Sequence, residues 1–346
     1  MSQIENYTPY ALERLLTADK DGREFVTAVV SATFHLPKPG LVHVGPLTAL
    51  AEQPPIALEE TYAGEPGQSS LLVDTQSLIG RPGTDIALNG KARTPGRKPQ
   101  RQCDTSVRVG TIEKSVRVFG NRVWTSGMLG LKPSDPEFFT EFPLSYECAF
   151  GGSAVPDAHG MAPFEERNPV GVGFYGSRRE ALDKPLPNLE DPRDLIDRVR
   201  DRPRPAGYGL VARMWMPRRQ LSGTFDERWQ RERAPLWPED LDPRFFHAAH
   251  PDLITPKPLA GNEPVHLRGF AHEGDFLFEL PNIQLSCGCT FRGTHECERM
   301  VLDGLYIDTE ARTLTMTWRA SFAAMGRVLD WRRLRVRQLE TWELAA

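Results

Sequence analysis

EFVTAVVSATFHL, residues 24–36, is rich in Val, Thr, Ala and Phe and carries no helix cap. Such residues fit a pleated sheet, so the stretch reads as a long, largely buried strand. Near the other end, TLTMTWRASF (313–322) and RLRVRQLE (333–340) alternate apolar and polar positions. In the first of these, Leu314, Met316 and Trp318 alternate with Thr313, Thr315 and Thr317, which directs Trp318 to the core. SSLLVD (69–74), TDIALNGKA (84–92), SVRVG (106–110), KSVRVFG (114–120) and NRVW (121–124) read as further strands, the last three as a meander with short turns. VHLRGF (265–270), FLFELP (276–281), IQLSCGCTF (283–291) and ERMVLDGLYID (298–308) complete the set. EGD (273–275), RGTHE (292–296) and DTEAR (308–312) are the expected hairpin turns.

Composition agrees with this reading. The 346 residues include 30 Pro and 29 Gly, spread along the chain, which disfavours long helices and favours short strands with ordered loops. Net charge is -4, which sets aside a strongly basic nucleic-acid binder. Mean hydropathy is -0.42, and no apolar run approaches the roughly 18 residues that span a bilayer. The opening MSQIENYTPY lacks a basic start and apolar core, and the five Cys are scattered, so reduced thiols and a cytoplasmic location are expected. There is no internal repeat or heptad pattern.

From Pro133 to Pro205 periodic segments are scarce. PSDPEFF (133–139) predicts one helical turn, PLSYECAFGG (143–152) a strand, and DPRDLIDRVR (191–200) the start of a short helix. GTFDERWQRERAP (223–235) carries the best helix signal, with Thr224 as N-cap and Glu227 three residues on, the capping-box spacing. RFFHAAH (244–250) predicts a second short helix.

The run PAGYGLVARMWMPRRQLSGTFDERWQRERAPLWPEDLDPRFFHAAHPD (205–252) resembles the DUF2169 family. So do SVRVGTIEKSVRVFGNRVW (106–124), PLSYECAFGG (143–152), NPVGVGF (168–174), LPNLEDP (186–192), GNEPVHLRGF (261–270) and LTMTWRA (314–320). The resemblance covers nearly the whole chain in order. It implies a bacterial protein encoded near type VI secretion genes, similar to adaptors or chaperones that help load effectors onto the secretion spike, beside PAAR-like tip proteins. It carries no catalytic residues over to this chain.

Recognisable active-site chemistry is lacking. Cys287, Cys289, Cys297 and His295 are zinc-type ligands, but one residue between Cys287 and Cys289 is wrong for a knuckle. If Phe291 pairs with Cys297, Cys287 lies four residues further along the ladder, roughly 14 Å away. GGSAV (151–155) lacks the second glycine of a nucleophile elbow. Cys148 sits in an apolar run and reads as core. HECE (295–298) lacks the second His of a zinc helix, GVG (171–173) fails the dinucleotide fingerprint, and there is no Walker A sequence. RTPGRKPQR (93–101) is one basic loop on an acidic chain.

The surface candidates are Arg213, Trp215, Arg218 and Arg219 in ARMWMPRRQ (212–220), with Trp229 nearby, since Trp and Arg anchor interfaces. The plainer alternative is that the tryptophans cover the core while the arginines snorkel or pair with acids. The basic strand RRLRVRQLE (332–340) reads as a sheet edge charged against pairing.

The expectation is therefore a mainly β protein: multi-stranded antiparallel, sandwich-like sheets with long loops and a few short helices in the middle of the chain. Residues 1–346 would form one unit, within which a boundary near residue 140 would separate a strand-rich lobe 1–140 from a lobe 141–346. The expected function is a non-enzymatic adaptor for a type VI secretion effector or a PAAR-like or VgrG spike protein. Neither a cofactor nor a metal, nucleic acid or membrane is expected to bind. A hydrolase and a carbohydrate- or ligand-binding β module are the alternatives. Convergent carboxylates in a deep cleft would favour the enzyme, an aromatic platform the sugar binder, and a broad apolar surface or groove the adaptor.

Overall fold

The computed structural model describes residues 3–128, 130–156, 160–291, 293–324, 328–340 and 343. It is mainly β, and among the described residues three sheets have more than two strands. The central sheet has the order Ala11–Ala18, Glu24–His35, Thr313–Ala323, Val301–Asp308, Asp85–Asn89. Its first four strands are antiparallel neighbours, and Asp85–Asn89 joins parallel to Val301–Asp308. The second sheet runs Leu189–Glu190, Ile112–Phe119, Gln102–Val109, Pro264–Arg268, Phe276–Glu279. A four-stranded sheet joins Gln3–Asn6, Trp331–Gln338, Leu285–Phe291 and Thr294–Arg299. Each of the three draws strands from both sides of residue 140, so the strands do not segregate into lobes there.

One continuous apolar core joins the three sheets, with Val30, Met316 and Trp318 from the first, Val107, Val116 and Leu267 from the second, and Leu285, Cys287 and Leu334 from the third. Alternation placed Trp318 correctly: it is 2% exposed. A satellite core, Trp124, Phe150, Ala181, Leu186 and Ile196, lies within the loop-rich middle.

That middle departs from the sequence reading in four places. Residues 133–139 form no helix, and Phe139 is bridged to Gln100. Residues 143–152 hold a 3-10 turn, Tyr146–Cys148, and only a two-residue strand, Phe150–Gly151. Residues 191–200 form no helix, because the Asp191 side chain takes the Arg193 N–H and closes an isolated turn. The helix at 223–235 starts later than expected. It spans Glu227–Glu232 and is capped by Asp226, which accepts from Trp229 N at 2.7 Å, while Thr224 is held by Asp240. The 3-10 turn Pro243–Phe246 takes up part of the second predicted helix.

The hairpin at the C-terminal cysteines also has a different register. Gly288, not Phe291, lies opposite Cys297. Arg292 of its predicted turn lies outside the described residues. Because side chains alternate, Cys287 and Cys289 point to one face and Cys297 to the other. The first two are fully buried and Cys297 is exposed.

Candidate functional site

The central sheet has one apolar and one polar face. Ser31, Thr33, Thr315, Thr317, Arg319, Gly304, Tyr306 and Asp85 share the polar face by register. A register shift between Leu302 and Gly304 inserts Asp303 as an extra residue, and such a bulge re-aims side chains. Asp303 Oδ2 accepts from Arg319 Nε at 2.8 Å.

Segments from the middle of the chain cover part of this face and complete a buried charge cluster. Arg81 stands between Asp85 (3.2 Å), Asp74 (3.5 Å) and Asp303 (3.6 Å). Arg218 donates to Asp74 at 3.1 Å and to the carbonyls of Val211 and Phe245. Asp85 accepts from His247 Nδ1 at 2.5 Å and from Ala248 N. Side-chain exposure in these pairs ranges from 1% at Asp303 to 7% at Asp85. Burial alone would raise the Asp85 carboxyl, but Arg81, His247 and the Ala248 N–H outweigh it and hold the group below its ordinary value. Burial lowers Arg218 and Arg319, with Asp74 and Asp303 respectively opposing the shift.

Chemically, this cluster is built for charge compensation. Each of its three carboxylates holds an arginine, and among the described residues no Ser or Cys hydrogen-bonds His247 or the three carboxylates. Burial pushes the thiols of Cys103 and Cys289 up to about 11 and about 12, and raises Cys148 and Cys287, which leaves them protonated at neutral pH. No group of three or more His, Cys, Asp or Glu among the described residues is placed to hold a metal ion. No helix among them is long and apolar enough to cross a membrane.

An accessible apolar surface lies elsewhere. Leu41, Val42 and Val44 are 70%, 68% and 89% exposed. Their loop runs along the outermost strand of the second sheet, with Gly40 N on Asp275 O and His43 N on Leu277 O, both at 2.8 Å. Beside it opens a groove of about 780 Å³, lined by Val42, Val44, Tyr10, Phe34 and Leu277 with Arg108 and His266.

The five surface candidates do not form one patch. Trp215 is 2% exposed and packs edge-on against Tyr146 at 5.6 Å, and Arg218 is 4% exposed in the charge cluster. Both belong to the interior, which corrects the expectation of an accessible anchor. Arg218 runs inward and donates to the Val211 and Phe245 carbonyls. Arg213 is half-buried, its Nε 2.8 Å from Glu60 Oε1, in ion contact without hydrogen-bond alignment. Arg219 pairs with Glu166 at the surface. Trp229 is half-buried against Phe225 and donates to Leu236 O.

The sequence reading missed Asp74, Arg81, Asp85, His247, Asp303 and Arg319. A signal existed in Arg319, a charge at an in-register position of a strand otherwise free of it. The apolar triplet Leu41, Val42, Val44 inside a Pro-bounded loop was a second.

No curated protein and no solved structure matches the chain. A family model described as an uncharacterized protein conserved in bacteria, DUF2169, matches residues 21–319. That span takes in most of the central sheet, the charge cluster and the apolar loop, and the chain belongs to the DUF2169 family.

Proposed function

We propose that this protein is a non-enzymatic adaptor or chaperone that binds a type VI secretion effector, or the PAAR-like or VgrG spike protein that carries it, and assists loading onto the spike. The observation that carries the binding role is the exposed triplet Leu41, Val42, Val44 beside the groove at the sheet edge. Apolar side chains held in water at a grooved edge favour a partner that covers them. The secretion setting rests on the resemblance of the motifs at 106–124, 143–152 and 205–252. The occupant is an extended apolar segment of the cargo, seated along the groove.

The test is co-purification with the products of neighbouring genes. The Leu41→Asp, Val44→Asp double variant is expected to lose at least about tenfold of the captured cargo. Its circular dichroism should match wild type, because both side chains already sit in water. Undiminished capture by the variant would remove this surface from the proposal. Wild-type protein that captures no product of its gene neighbourhood would overturn the adaptor reading.

A further inference from the structure

The polar face of the central sheet also holds a cavity that shares no lining residue with the groove. Two rungs of the sheet, Ser31–Thr317–Gly304–Asp85 and Thr33–Thr315–Tyr306–Ala87, line about 340 Å³. Pro54, Pro55 and Ile56 form an apolar wall, and the exposed prolines mark the mouth. Asp74 and Arg81 of the charge cluster also line it.

The hydrogen-bonding groups here are incompletely used. Thr33 and Thr315 satisfy each other at 3.0 Å. Among the described residues no protein group hydrogen-bonds the hydroxyls of Ser31, Thr317 or Tyr306. Asp74 has a side chain 3% exposed, and its Oδ2 takes Arg81 and Arg218. Its Oδ1 is buried without a hydrogen bond, with Arg213 Nη2 at 3.9 Å. Burial pushes the Tyr306 phenol up to about 12, so it stays protonated and can donate at neutral pH.

Charge narrows the class of occupant. Arg81, Arg213, Arg218 and Arg319 face Glu60, Asp74, Asp85 and Asp303 in ion pairs, so these charges balance as built. A charged ligand would lose its hydration without gaining a free counter-charge. We propose that the cavity binds one neutral polyhydroxylated unit, a single sugar residue or a polyol of similar size. Its hydroxyls would engage Ser31, Thr317 and Tyr306, and its apolar edge would lie on Pro54 and Ile56. The volume is near the lower end for ligand pockets, which suits one ring and not a chain.

The experiment titrates full-length protein with D-glucose, N-acetyl-D-glucosamine, myo-inositol and maltotriose, and with charged D-glucosamine and D-gluconate, by calorimetry and methyl NMR. At least one neutral probe should saturate below about 50 mM. A response to glucose assigns a free unit, and a response to maltotriose alone assigns a chain end; both support the proposal. Tyr306→Phe and Thr317→Val keep the shape and should each weaken binding about tenfold. Wild-type methyl shifts should move at Ile56, Thr315 and Thr317, a readout that needs no variant. The proposal is overturned if no neutral probe binds, if the charged analogues bind best, if the moving methyls lie elsewhere, or if folded Tyr306→Phe and Thr317→Val bind as wild type does.

Discussion

On the central sheet, side chains one residue apart meet opposite surroundings. Trp318 looks into an apolar core with Val30 and Leu302 beside it, while Arg319 looks the other way, into ion pairs and carbonyls. Both are 2% exposed. One face is held by packing that tolerates any apolar neighbour of the right volume. The other is held by groups that must each find a specific partner, among them the linked hydroxyls of Thr17, Thr27 and Ser321. Burial alone therefore does not say how a face is held. The polar side fixes which loops may cover it, since only the segments carrying Asp74, Arg81, Arg218 and His247 complete its charges.

The largest effect is expected on the polar side. Arg218→Glu would set a second carboxylate against Asp74 and strip two carbonyls of their donor, which should cost about 5 kcal/mol or more. A thermal melt followed by circular dichroism should show no cooperative transition; a wild-type melt would mean that the cluster relaxes into water.

Trp318→Ala and Arg319→Met should cost similar amounts, about 3–5 kcal/mol each, for different reasons: a cavity in one case and, in the other, a buried carboxylate left with only its longer contact to Arg81. Adding Asp303→Leu to Arg319→Met should recover much of the loss in urea unfolding, since it removes the excess buried negative charge, while Arg81 keeps Asp74 and Asp85. If Asp303→Leu makes the variant worse, the two faces do not differ in the way described.

Acid should weaken the fold in two stages, first at His250 beside Lys114 and Asp252, then at Asp85 in the charge cluster. Burial, with Lys114 nearby, holds His250 well below its ordinary 6.5, so the folded state resists the proton that the unfolded chain takes up. Its contribution is whole above 6.5 and falls as pH drops below it, by up to about 1.4 kcal/mol per pH unit. Asp85, held below its ordinary 3.8, adds stability that is present above that value and is lost as pH falls through its folded value. His250→Asn should flatten the decline in urea midpoint between pH 7 and about 5. An equal decline in wild type and variant would assign it to other groups.

The smallest effect is expected one residue from the largest. Arg219→Glu breaks only a pair whose side chains are 39% and 49% exposed, so it should cost less than about 1 kcal/mol in the same melts.

The strands were legible because alternation reports a face directly; Trp318, Val107 and Val116 follow from spacing alone. The cover over the polar face was not, since a Thr-rich face reads as solvated until distant loops are known to lie on it. Arg218 and Arg219 are indistinguishable as letters, and they differ only in the partners the fold brings to them: Asp74 and two carbonyls for one, Glu166 at the surface for the other. The Cys287–Cys297 register failed for a related reason: Phe291 pairs with Thr294, whereas the assumed pairing of Phe291 with Cys297 needed a longer connection. At the helix, Asp226 and Thr224 both fit a capping position, and the competing bond to Asp240 decides between them.

The pairing of Glu24–His35 with Thr313–Ala323 has a consequence for synthesis. Thr33 and Thr315 meet across 282 positions of chain. At about 5–20 residues per second, the early strand leaves the ribosome on the order of 15–60 s before its partner exists. During that interval Val26, Val30 and Phe34 and one open backbone edge lack their final neighbours. The nascent chain therefore passes through a prolonged window of aggregation risk, and a message truncated before codon 313 would yield a product locked in it.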